Sequence, residues 1–336
     1  MERASRIGPP SRIGTEGARP PMHIFFATDG SASARFAQAQ ILAMPWRSPV
    51  QLTVMTAVHV PPPLFTSFVA SAQEAFDAEM VTLRRDAEVR AEDVLAKARF
   101  ALEGSVASVS TRMHSGSPGA TIVEMARACR VDLVVVGSRG LGPYKGYLLG
   151  SVSDHVANHA RCSVLLAKTP PKRTGRYLLA LDDSEYAVAA IRWLRELELP
   201  DGAMIHLVKV FPSMEHFPFP DGRNWTCACE RATPAIFTPW GNAPEVMEAM
   251  CEEGLDTKVA RVTVEVRFGQ EVPEILASVR KFEPDLLVMG AKGHYSTAAS
   301  QLGNVARKMV DHAPCSVLIV RPSGLGVPRS LSPFTA

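Results

Sequence analysis

Asp132-Leu-Val-Val-Val136-Gly137-Ser-Arg-Gly140-Leu-Gly-Pro-Tyr-Lys145-Gly-Tyr-Leu-Leu-Gly150-Ser151 is the stretch on which the reading turns. Its first five residues are a short apolar run rich in β-branched side chains, the mark of a parallel strand buried on both faces. After Ser151, Val152 to His159 carries a helical pattern, and Ser151 is placed to cap it. The order is therefore strand, glycine loop, helix N-terminus. Gly137, Gly140, Gly142, Gly146 and Gly150 let backbone N–H groups approach a ligand closely, and a helix N-terminus adds partial positive charge. Such a turn can cradle phosphates, with Arg139 and Lys145 as added charge. It is not a P-loop, because no Gly-Lys-Ser/Thr follows, and the third glycine of the dinucleotide fingerprint is absent.

The same plan occurs twice. Asp29 and Asp182, Gly116 and Gly269, Gly137 and Gly290, Gly150 and Gly303, and Ser163 and Ser316 are all 153 residues apart. One offset held at five landmarks is a tandem duplication. In the first copy His23–Thr28 reads as strand one and Asp29-Gly-Ser31 ends it, with Ser31 capping a helix over 32–44. Strand two follows over 51–60, and a long amphipathic helix lies within 67–103. A strand then spans 106–113, a helix 120–129, and the last strand is Ser163–Ala167. In the second copy the first strand is Tyr177–Leu181, the fourth Asp285–Gly290 and the last Ser316–Val320. Alternating strands and helices predict two α/β domains, each an open parallel sheet covered on both faces. The boundaries are a tail over 1–21, domains over 22–170 and 175–322, and a second tail over 323–336.

Composition narrows the classes. The 336 residues are 46% hydrophobic and 21% charged, with formal net charge +2. That balance gives no case for nucleic acid as the main partner. No apolar run reaches the length of a membrane span. Six scattered cysteines point to a reducing compartment, so a cytoplasmic location is expected. Residues 1–21 carry four arginines among Gly, Pro and Ser and lack the apolar core of a secretory signal.

Both copies resemble universal stress protein domains over about residues 22–322. The carrying residues are Thr28-Asp-Gly-Ser31, His59-Val60, Gly116-Ser-Pro118, the pattern Gly137-x2-Gly140-x9-Gly150-Ser151, and His159-Ala-Arg-Cys-Ser-Val164. The resemblance implies a five-stranded fold of order 3-2-1-4-5, like the adenine nucleotide alpha hydrolases. It also implies pairing through the last strands, here within one chain as a pseudo-dimer, which leaves room for a homodimer of whole chains. It implies ATP binding. Asp29 would sit at the adenosine end, Ala27 and Thr28 would lend backbone to the base pocket, and Val60 would pack on it. Gly137, Arg139, Gly140, Gly150, Ser151 and Val152 would surround ribose and phosphates, and the Ser153 hydroxyl would reach a phosphate. Mg²⁺ would lie beside Ser151 or Ser153.

The second copy departs from the pattern: Asn304 stands where Ser or Thr is expected, and Asp183 replaces the glycine after the first-strand aspartate. Nucleotide binding is therefore expected mainly in the first copy, in a stress-response protein with little turnover. A slow ATPase or autophosphorylating enzyme, and a nucleotide-independent scaffold, stay open beside it. The insert over 211–251 is rich in proline and holds Cys227-x-Cys229; with Cys251 or His216 this could bind zinc, but the spacing is not the usual Cys-x2-Cys, and the plainer expectation is reduced thiols in a Pro-rich cover.

Overall fold

The computed structural model describes residues 20–59, 70–140, 149–172, 175–182, 184–211, 226–228, 261–293 and 301–322. The first half runs β1 (Met22–Ala27), α1 (Ala32–Ala43), β2 (Val50–Val58), α2 (Ala70–Leu102), β3 (Ser108–Ser115), α3 (Pro118–Ala128), β4 (Leu133–Gly137), α4 (Ser151–His159) and β5 (Ser163–Ala167). The second runs β6 (Arg176–Leu181), α5 (Glu185–Trp193), β7 (Met204–Phe211), β8 (Thr226–Ala228), β9 (Arg261–Phe268), α6 (Glu271–Phe282), β10 (Leu286–Gly290), α7 (Asn304–His312) and β11 (Ser316–Val320).

The strands form one eleven-stranded sheet in the order β3-β2-β1-β4-β5-β11-β10-β6-β7-β9-β8. The first half shows the 3-2-1-4-5 order, and the second repeats it in mirror sequence from β11 to β9. Pairing within each half is parallel apart from β8, a short strand antiparallel to β9 that the sequence did not announce. The halves join where β5 and β11 run antiparallel, Leu165 facing Leu318. These two residues are themselves 153 apart, so the pseudo-twofold axis passes between them. The expected pseudo-dimer is thus a continuous sheet.

Each strand alternates its side chains between two apolar layers. Ile24 and Phe26 join Ala37, Ile41, Leu95 and Ile191 on one face. Phe25, Val134 and Val136 join Ile122, Val156, Val279 and Met309 on the other. Both layers draw residues from both halves, so the core runs unbroken across the join. Burial on both faces is why β4 and β10 read as continuous apolar runs.

The duplication extends to backbone detail. Gly116 donates to the Val58 carbonyl with φ +142°, and Gly269 donates to Phe211 with φ +135°. Both start the loop before a helix in a conformation L side chains rarely adopt. Asp132 accepts from the His23 amide at 2.8 Å, and Asp285 accepts from the Arg176 amide at 3.2 Å. Among the described residues no helix is long and apolar enough to cross a membrane.

Candidate functional site

Parallel strands leave their carboxyl ends on one rim, and the crossover where β1 meets β4 opens a crevice there. Asp29 follows β1 on one wall and the glycine turn follows β4 on the other. They are in contact: a Cβ on Gly140 would stand 2.8 Å from Asp29 Oδ2. The Asp29 Oδ1 accepts from the Ser31 amide at 2.9 Å, which fixes the carboxylate. Gly30, with φ +74°, makes the tight bend into α1. The Ser31 hydroxyl accepts from the Ala34 amide, capping α1 as expected, and donates to the Arg139 carbonyl at 3.3 Å. One serine thus ties the two walls together. The sequence reading did not single it out for this, because its partner is a main-chain oxygen.

The glycine turn is held by its own backbone. Ser138 donates to Ala167, and its carbonyl accepts from Gly150 at 2.8 Å. Gly137 sits where a Cβ would meet the Ser33 carbonyl carbon at 2.5 Å and the Ala34 nitrogen at 2.7 Å, so α1 packs directly on this glycine. Gly150, not Ser151, is the N-cap of α4; its backbone is extended and no side chain caps the helix. Ser151 is the first helical residue, and the expectation that it caps α4 is corrected. The reason is that Gly150 spends its amide on Ser138 and gives its carbonyl to Asp154, which places the boundary one residue earlier. The amides of Ser151, Val152 and Ser153 precede the first intrahelical bond and take no acceptor among the described residues. They sit at the positive end of the helix dipole.

The remaining residues divide. Ser151 and Arg139 are exposed. Ser153 is 2% exposed, and its hydroxyl donates inward to Ser138 and Gly150 carbonyls at 2.8 and 3.0 Å. That hydroxyl braces the turn instead of pointing outward. Thr28 spends its amide on Met55, and its carbonyl accepts from the Thr56 hydroxyl at 2.8 Å, so its backbone is largely committed to the sheet. Ala27, the last residue of β1, is buried below it. Val60, Gly142, Lys145 and Gly146 lie outside the described residues.

The second half repeats the geometry. A Cβ on Gly293 would stand 2.8 Å from Asp182 Oδ2, and Gly303 donates to the Ala291 carbonyl at 2.8 Å. Gly303 is likewise the N-cap of α7, and Asn304 the first helical residue. Tyr186 replaces Ser33 beneath the turn, its Cβ 2.5 Å from where a side chain on Gly290 would start. Ala306 replaces Ser153, so that inner brace is absent. In the insert, Cys227 lies in β8, while Cys229, Cys251 and His216 lie outside the described residues.

The model of the universal stress protein family matches residues 21–168 and 230–321. A Staphylococcus epidermidis protein assigned to the universal stress proteins is 30% identical over 148 residues, which is 44% of this chain and 84% of the relative. A Staphylococcus haemolyticus counterpart is 30% identical over 149 residues, 44% of this chain and 84% of its own. The structure of a universal stress protein from Archaeoglobus fulgidus superposes with a TM-score of 0.56 at 17% identity, covering 89% of this chain and 98% of that one. At that identity the likeness speaks for the fold. With two matched segments, the repeated glycine turn and the mirrored strand order, the chain belongs to the universal stress protein family as a tandem member.

Proposed function

We propose that the crevice between β1 and β4 binds an adenine nucleotide, ATP in the first instance, and that the protein acts by binding it. The observation that supports this is the contact of Gly140 with the Asp29 carboxylate, an acceptor beside a glycine turn at the carboxyl ends of β1 and β4. A carboxylate accepts from ribose hydroxyls or an amine. The amides of Ser151, Val152 and Ser153, at a helix N-terminus, suit phosphate oxygens. Arg139 stands exposed at the turn to meet their charge. Mg²⁺, where it accompanies the nucleotide, would find the exposed Ser151 hydroxyl before the inward-turned one of Ser153.

Calorimetric titration with ATP of the wild type, Gly150→Ala and Gly150→Asp tests the reading. A Cβ at Gly150 would lie 3.2 Å from the Arg139 Cα and 3.3 Å from the Ser138 carbonyl oxygen, a tight but adjustable fit. Aspartate is a favoured N-cap, so the fold should hold while its charge occupies the phosphate position. Loss of binding in Gly150→Asp, with most retained in Gly150→Ala, supports the site. Equal affinity in all three removes it.

A further inference from the structure

The join between the halves is built from strands that are almost the same. Ser163-Val-Leu-Leu-Ala167 faces Ser316-Val-Leu-Ile-Val320, and the register is symmetric about Leu165 and Leu318. Lys168 and Arg321, again 153 apart, reach across in equivalent ways. Lys168 Nζ donates to the Ala313 carbonyl at 2.8 Å, and the Arg321 guanidinium donates to the Cys162 and Ala157 carbonyls at 3.2 and 2.5 Å. Each of their amides also donates to the serine that starts the opposite strand. Within this layer the halves differ by conservative changes alone, Leu166 against Ile319, Ala167 against Val320 and Lys168 against Arg321, which give a first half little reason to prefer a second half over another first half.

The helices on either side of the sheet do distinguish them. On one face Asp154 of α4 meets Arg307 of α7 at 3.3 Å, and Arg307 also donates to Asn158 Oδ1 at 3.3 Å. Asp154 and Arg307 are equivalent positions, 153 apart, lying across the axis from one another. Two first halves in this arrangement would set aspartate against aspartate with no cation facing either; two second halves would set arginine against arginine, relieved in part by Asp311, the equivalent of Asn158, so the charge rejects the first–first pair most strongly. On the other face Trp46 of the first half meets Trp193 of the second edge-on, ring centroids 6.1 Å apart. Their equivalents are Leu199 and Gln40. Two first halves would offer Trp46 to Gln40, and two second halves Trp193 to Leu199, so the aromatic pair exists only in the mixed arrangement.

We infer that this surface selects the other half of the same kind of chain and rejects a copy of its own half, with the near-identical strands supplying adhesion and Asp154–Arg307 and Trp46–Trp193 supplying the choice. The partner it fits is a universal stress protein half carrying a cation at the α7 position and an indole at the end of α5. Complementary against like charges is the ordinary means of such discrimination. With Asp154 and Arg307 42% and 53% exposed, each swap from opposite to like charge should shift the pairing ratio about tenfold at low salt.

The test keeps both halves folded together until the tether is cut. A protease site is placed at positions 173–174, and cleavage is made in the folded chain. Unlabelled and isotopically labelled nicked protein are then mixed at a denaturant concentration at which labelled halves are seen to enter unlabelled pairs. Native mass spectrometry counts the pairings after the denaturant is removed. In the wild type only mixed pairs should form. In Asp154→Arg every pairing on that face carries arginine against arginine, so first–first and second–second pairs should appear, and added salt should change their share little. Asp154→Arg with Arg307→Asp should restore mixed pairs alone, and Trp193→Gln should release identical pairs independently of salt. A statistical mixture in the wild type, or unaltered sorting in both Asp154→Arg and Trp193→Gln, overturns the inference.

Discussion

The Asp29 carboxylate lies against the bare Cα of Gly140, with no room for a methyl group between them. Gly140→Ala should therefore push the carboxylate out of place while leaving the backbone unstrained. Affinity for ATP is expected to fall about tenfold, roughly 1.4 kcal/mol. Gly293→Ala makes the same intrusion on Asp182 in the second half and should leave first-half binding as it was. Calorimetry on both variants reads the difference, and equal losses would mean that nucleotide does not distinguish the two crevices.

Gly137 carries stability more than binding. Its Cβ position is filled by the backbone of Ser33 and Ala34, which cannot swing away as a side chain end would. Gly137→Ala must move α1 or β4, at a cost of about 1–3 kcal/mol. A denaturant midpoint equal to the wild type would show that α1 is held less firmly than this packing implies.

Acid should act on the second half through Glu265. This carboxylate is 3% exposed and accepts from Ser278 at 2.5 Å, from Arg267 at 2.9 Å and from His206, whose Nε2 lies at 3.1 Å. The His206 hydrogen bond above all, with Ser278 and Arg267, holds its pKa down to about 2 against the opposing effect of burial. A depressed carboxylate stabilises the fold above its unfolded pKa of about 4.3, and that contribution is lost as pH falls toward 2. Glu265→Gln should cost about 1–3 kcal/mol at neutral pH and flatten the acid limb of the stability profile. Parallel acid limbs for variant and wild type would assign acid sensitivity elsewhere.

At alkaline pH Lys168 should act in the same sense, in a higher window. Burial, the largest cause, lowers its pKa to about 8 even as Nζ donates to Ala313. The unfolded chain, with a lysine pKa of about 10.4, then binds more protons than the folded one above about pH 8. Stability contributed by this group therefore rises with pH. Cys162 and Cys315, pushed up to about 11 by burial, bind protons more tightly when folded and oppose this above about pH 9. Between about pH 7 and 9 the wild type should gain on Lys168→Met in thermal midpoint. A gap that stays constant over that window would show that the amine keeps its ordinary pKa.

Much of this was legible in the chain. Ser163–Ala167 and Ser316–Val320 are the last strands as read, because strands buried on both faces write an uninterrupted apolar signal. The common offset gave the mirrored halves. What stayed hidden was carried by main-chain atoms. The Ser138 carbonyl organises the glycine turn, yet Ala291 does the same in the second half, so no side chain marks the role. The N-cap fell one residue early for that reason. β8 was hidden because three residues leave no period to read. β3, expected at 106–113, lies at Ser108–Ser115, since an exposed edge strand writes only a weak alternation. Complementarity at 154 and 307 needed the sheet register before it meant anything.

Since β5 and β11 run head to tail, the carboxyl ends of β1 and β4 open on one rim of the sheet and those of β6 and β10 on the opposite rim. A molecule seated at Asp29 and one seated at Asp182 would have the length of the strands between them. Neither could crowd or bridge to the other. The stoichiometry of this chain is thus set rim by rim, and a titration curve with two steps would be resolving addresses, not competition for one berth.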